Sequence, residues 1–106
     1  MKVILDECLP RRLKQQLVDH DVSTVPEMGW AGVKNGALLR LVEAAFDAFV
    51  TIDGNMRYQQ NLGVLGVGIV VLEASDNTIE TLRPLCPQIL RVLESIQPGE
   101  IVKVSA

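Results

Sequence analysis

Histidine occurs once, at His20, and cysteine twice, at Cys8 and Cys86. A single imidazole removes His-centred metal sites and Ser-His-Asp triads from consideration, because a triad needs its imidazole between nucleophile and acid. His20 reads as a solvated residue at a helix end. The two cysteines form no CxxC pair and no zinc spacing. Lone thiols of this kind fit a reducing compartment, so a cytoplasmic protein is expected. Long hydrophobic runs are also missing. The longest, from Leu62 to Leu72, is broken by glycines and too short to span a bilayer. The opening MKVILDE reaches carboxylates too soon for a signal peptide, so no membrane partner is expected. Nor is there a basic excess. Lys plus Arg is 10 and Asp plus Glu is 13, which gives 10 − 13 = −3. That excludes a strongly basic nucleic-acid coat but leaves room for a local basic rim.

What is present is a globular composition. Of the 106 residues, 48% are hydrophobic and 22% charged, near the average for folded domains. The length suits one domain over 1–106. Val3-Ile4-Leu5 is a short run apolar on both faces, which suggests a central strand of a parallel sheet. Pro10 starts a helix, where its missing N–H costs nothing. Leu9, Leu13 and Leu17 mark the buried stripe of that helix, and Asp19-His20-Asp21 closes it. Val22 to Val25 reads as a second strand, ended by Pro26. A loop with two glycines and the only Trp follows. Trp30 is either a lid or a loop anchor, and its large apolar surface favours the anchor. Asn35 is a candidate N-cap for a helix whose buried face carries Leu38, Leu39, Val42, Ala45 and Phe46.

Residues 47–51 read as a third strand, followed by a short helix carrying Tyr58, Gln59 and Gln60. Residues 67–72 are the most strand-like segment. Thr78 caps a last helical stretch, which Pro84 and Pro87 split into a short and a longer piece. Residues 101–104 form a final strand that an edge position would allow to run antiparallel. Strands alternating with helices argue an α/β fold: a three-layer α/β/α sandwich on a mainly parallel five-stranded sheet, ordered 2-1-3-4-5.

In such a sheet ligands bind beyond the carboxyl ends of the strands, where the strand order reverses. Asp6 and Glu7 end strand one, and Asp53 lies just past strand three. The proposed order brings them to that point. Carboxylates held close repel, and a hard divalent cation relieves the repulsion. The same residues also suit plainer roles: Asp6 and Glu7 as helix-dipole partners, and Asp53-Gly54-Asn55 as turn chemistry. Arg11, Arg12, Lys34 and Arg57 can form a basic rim for phosphates, and Tyr58 can stack on a base. Taken singly, each cation is equally an ordinary solvated surface residue.

The chain resembles the PIN-like family of small prokaryotic proteins. The resemblance rests on LDECLP at 5–10, GWAGVKNGALL at 29–39, VTIDGN at 50–55 and YQQN at 58–61, and extends to RPLCPQIL and the closing PGEIVKV. It implies an acidic cluster that binds Mg²⁺ or Mn²⁺ and cuts RNA, often as the toxin of a toxin–antitoxin pair. By matching motif, Asp6 and Asp53 are the core metal ligands, and the adjacent Glu7 is a third catalytic acid that would orient the attacking water. Asn55 stands where many PIN domains carry another acid, and as a further metal ligand it would coordinate through its carbonyl oxygen. Asn35 and Ala37 also replace acids common in relatives. These departures imply weaker metal binding, and they admit an alternative: a non-catalytic module binding a protein partner or RNA. Implied partners are RNA and an antitoxin protein, with a homodimer left open. Response-regulator receiver domains offer a second resemblance, through Asp6-Glu7, Asp53 and Lys103. There Asp53 would accept a phosphoryl group.

Overall fold

A computed structural model describes residues 1–54 and 66–105. The five strands are β1 (Lys2–Leu5), β2 (Asp21–Thr24), β3 (Ala48–Thr51), β4 (Gly68–Glu73) and β5 (Ile101–Ser105). They form one sheet in the order β2-β1-β3-β4-β5. Every pairing is parallel, including that of β5, so the antiparallel edge allowed by the sequence does not occur. Val3, Ile4 and Leu5 are wholly buried. Their apolar side chains are needed on both faces because both faces are covered.

Alternate residues separate the core into two halves. Val3, Leu5, Val50, Val70 and Leu72 pack on one face with Leu9, Leu13, Leu17, Ile89 and Leu93. Ile4, Phe49, Ile69 and Val71 pack on the other with Leu38, Leu39, Val42 and Phe46. Helix α1 (Asn35–Ala45) covers the second face. A short α2 (Ile79–Leu82), a 3-10 turn over Arg83–Leu85 and α3 (Cys86–Ser95) cover the first. The β2-to-β3 and β4-to-β5 connections step the same way along the sheet but pass over opposite faces. They therefore have opposite hands, and one departs from the usual right-handed rule.

Several local expectations need correction. The segment after Pro10 is a 3-10 helix, Arg11–Gln16, and not an α-helix reaching Asp19. Leu13 lies within it, while Leu9 and Leu17 flank it, so a four-residue leucine spacing is satisfied without α geometry. Asp21 opens β2 instead of closing the helix. Pro26 starts a 3-10 turn, Pro26–Met28. His20 is half-buried, and its Nδ1 has no hydrogen-bond partner among the described residues. Lys34, not Asn35, occupies the N-cap of α1, without a side-chain cap bond. Thr78 does cap α2, accepting the Thr81 N–H at 3.3 Å. Trp30 is an anchor: it joins the second core half and meets Phe46 edge-on, 6.2 Å between ring centroids. The short helix expected around Tyr58 lies outside the described residues.

Candidate functional site

Strand order reverses at β1, whose neighbours are β2 and β3. The ends of β1 and β3 are level, Leu5 opposite Val50, and the Asp6 N–H continues the ladder onto the Val50 carbonyl at 2.9 Å. Asp6 therefore emerges at the carboxyl end of the sheet, where a bound group is expected in this architecture. It is only 7% exposed. Both carboxylate oxygens are held. The Glu7 N–H donates to Oδ1 at 2.8 Å, and the Thr51 hydroxyl donates to Oδ2 at 2.7 Å. Each oxygen keeps a further lone pair.

Thr51 organises this corner. It is fully buried at the last position of β3. While its hydroxyl donates to Asp6, its oxygen accepts the Asp53 N–H at 3.0 Å. A single side chain thus links Asp6 to the backbone of half-buried Asp53. The Cys8 sulfur lies 3.9 Å from the same hydroxyl. Burial, and the nearby Asp6 charge, push the Cys8 thiol above its ordinary value, although its contacts to Ile52 and Thr51 pull the other way. Cys8 and Cys86 are both free.

Glu7 faces outward and serves a different purpose. Both of its carboxylate oxygens accept the Gly32 N–H, at 3.2 and 3.3 Å. Gly32 has φ +82°, a left-handed conformation that glycine adopts without strain. This bond draws the Trp30 loop toward the end of β1. Across the sheet, Asn77 donates to the Cys8 carbonyl at 2.7 Å and ties down the loop after β4.

Of the expected basic rim, Arg11 and Arg12 are exposed on the first 3-10 helix, and Lys34 is exposed at the start of α1. Arg11 is already drawn to Glu27, at 3.6 Å. Asn55, Arg57 and Tyr58 lie outside the described residues, as does the Asn35 side chain; Ala37 is exposed on α1. Lys103 pairs with Glu73 across β4 and β5 at 3.1 Å.

Could this corner hold a divalent cation? Hard carboxylate oxygens suit Mg²⁺ and Mn²⁺, and Mg²⁺ commonly takes one or two carboxylates while keeping its waters. Asp6 offers such oxygens at this corner, and the Asp53 backbone is tied to it through Thr51. The two do not make a cage of three or four acids: among the described residues no group of three or more His, Cys, Asp or Glu side chains is placed to hold a metal. Glu7 is occupied with Gly32.

The sequence singled out Asp6 and Asp53 as candidates and assigned no role to Thr51, which bonds to the Asp6 carboxylate and the Asp53 N–H. Its signals were a hydroxyl at the end of an otherwise apolar strand and its place in the VTIDGN stretch. No family model matches the chain, and neither a curated protein nor a solved structure matches it.

Proposed function

We propose that the protein is a PIN-like, divalent-metal-dependent ribonuclease, with Asp6 and Asp53 as its metal-holding carboxylates. The observation that carries this reading is the Asp6–Thr51–Asp53 chain of hydrogen bonds at the switch point of the sheet. A buried carboxylate fixed by two donors is an oriented oxygen ligand, and orientation is what a metal site needs from its surroundings. Bound there, Mg²⁺ or Mn²⁺ would lower the pKa of a water and offset charge on the scissile phosphate. The chain's own part is to bury and orient the Asp6 carboxylate and to hold the Asp53 backbone beside it. Glu7 holds the adjoining loop, and Arg12 and Lys34 supply positive charge for the phosphate backbone. Toxin activity, with an antitoxin as partner, belongs to the same proposal.

The test is cleavage of a mixed RNA pool with Mn²⁺ by wild type and by Asp53→Asn prepared in parallel. Cleavage by wild type alone is expected. Equal cleavage by both proteins would remove Asp53 from the site.

A second reading has one observation in its favour: Glu7 is engaged by Gly32, and the described residues gather no third acid. This suits a module that binds RNA or a protein without cutting. The receiver-like reading at Asp53 gains less, because the Lys103 ammonium it requires is paired with Glu73.

A further inference from the structure

A cavity of about 260 Å³ opens beside the first 3-10 helix, lined among the described residues by Arg11, Arg12, Lys14 and Gln15. Three cations and an amide donor share one concavity in a protein whose net charge is −3. The helix type explains the arrangement. With three residues per turn, side chains at i and i+3 eclipse. Arg11 therefore stands over Lys14, and Arg12 over Gln15. The third row contains Leu13, which is buried. In an α-helix the same pairs would stay neighbours but stand about 60° apart around the axis.

Glu27 is the one acid that enters this cluster among the described residues. It binds Lys14 through both oxygens, at 2.8 and 2.9 Å, and touches Arg11 at 3.6 Å. Three positive charges against one negative leave an excess of two. Among the described residues Arg12 has no ion pair. A guanidinium fork beside an amide donor matches the tetrahedral oxygens of a phosphate. Arg11, the first lining residue, follows Asp6 by five positions in the chain.

We propose that this cavity is a phosphate subsite, holding a backbone phosphate of single-stranded RNA other than the scissile one. The inference rests on the reading of Asp6 and Asp53 as the phosphodiester-cleaving site, and extends it with a second contact point on the same strand. Arg12 and Gln15 make the principal contacts. Arg11 joins them by exchanging its long contact with Glu27 for the phosphate.

Binding can be separated from cleavage by working in EDTA. A short labelled single-stranded RNA is titrated with wild type, Arg12→Ala, Gln15→Glu and Arg40→Ala at several salt concentrations. All three positions are exposed, and melting curves verify folding. Arg40 lies on α1, over the opposite face of the sheet, and removes the same charge as Arg12→Ala. The expected result is affinity reduced about fivefold or more in Arg12→Ala and in Gln15→Glu, but unchanged in Arg40→Ala. The salt slope of Arg12→Ala should fall by roughly 0.7, the share of one phosphate contact on a single strand. Equal weakening in all three variants would mean diffuse electrostatics and overturn the subsite, and so would no weakening or no binding by wild type. Mn²⁺-dependent cleavage is then scored separately. Wild-type cleavage with unaltered Arg12→Ala binding would discard the subsite and keep the active site. Selective loss of binding without any cleavage by wild type would do the reverse.

Discussion

The Thr51 hydroxyl and the Asp6 carboxylate meet at 2.7 Å and join the end of β3 to the end of β1. The pair is buried, so it binds the site and the fold together. Thr51→Val keeps the shape and removes the hydroxyl. It leaves Asp6 one donor short and the Asp53 N–H without its acceptor. A hydrogen bond to a charged group is worth about 1.5–3 kcal/mol, so a loss of that order is expected in urea denaturation. Thr51→Ser should recover most of it.

Metal linkage gives the next prediction. A ligand that binds only the folded state raises its stability, by about 2.7 kcal/mol at a hundredfold excess over Kd. Mn²⁺ should therefore raise the melting temperature of wild type and leave that of Asp53→Asn unmoved. Identical shifts in both proteins would place the ion elsewhere.

Cys8 reports on the same corner. Its thiol is raised first by burial and further by the Asp6 charge. The thiolate is the reactive form. Alkylation by iodoacetamide should have a pH midpoint above that of an ordinary thiol. In Asp6→Asn the midpoint should move down, because a neighbouring negative charge has been removed. Mass spectrometry of the Cys8 peptide measures both.

Glu27 provides a pH-dependent element at the end of β2. Its carboxyl lies below the ordinary glutamate range, mainly through the hydrogen bond from Lys14, with Thr24 contributing. The Thr24 N–H donates to it at 2.9 Å. A lowered folded value means that the stabilisation is complete above the unfolded value and is lost as pH falls through the folded one. Wild type should thus exceed Glu27→Gln in stability at neutral pH, and the gap should close through the acid range. A gap independent of pH would show that the charge is not involved.

Packing at the opposite pole is tested by Gly68→Ala. A Cβ there would stand 2.7 Å from Ile96 Cγ1 and 3.2 Å from the Gln97 carbonyl oxygen. Overpacking of this kind costs about 1–3 kcal/mol. Adding Ile96→Ala removes the closest atoms, so the double variant should lose less than the two single losses together.

Much of the architecture was legible because it is written in apolar runs. Val3 to Leu5, the segment ending at Leu72, and the alternation with helices were enough for the 2-1-3-4-5 order. Pro84 and Pro87 announced the divided last helix. The first 3-10 helix was not legible, since Leu9, Leu13 and Leu17 fit an α stripe equally well. Asn35 looked like a cap because its side chain suits one, yet the turn begins one residue earlier at Lys34. In the site, acids announce themselves by type. Thr51 stood inside the VTIDGN stretch without a role, because in a strand its branched shape explains it before its hydroxyl does. The engagement of Glu7 by Gly32 depends on a loop returning from a distance that no local pattern encodes.

The all-parallel pairing also governs when the corner comes into being. No hairpin can close a parallel pair; each waits for a crossover to be made. β1 precedes β3 in the chain, so Val3 must wait for Ala48, and Leu5 for Val50. Non-local pairings of this kind are slow to form. A nascent chain that has emerged only as far as α1 carries Asp6 without its Thr51 clamp and without Asp53. On the nuclease reading, the protein is harmless to the messenger that encodes it until the central strands have been released and docked.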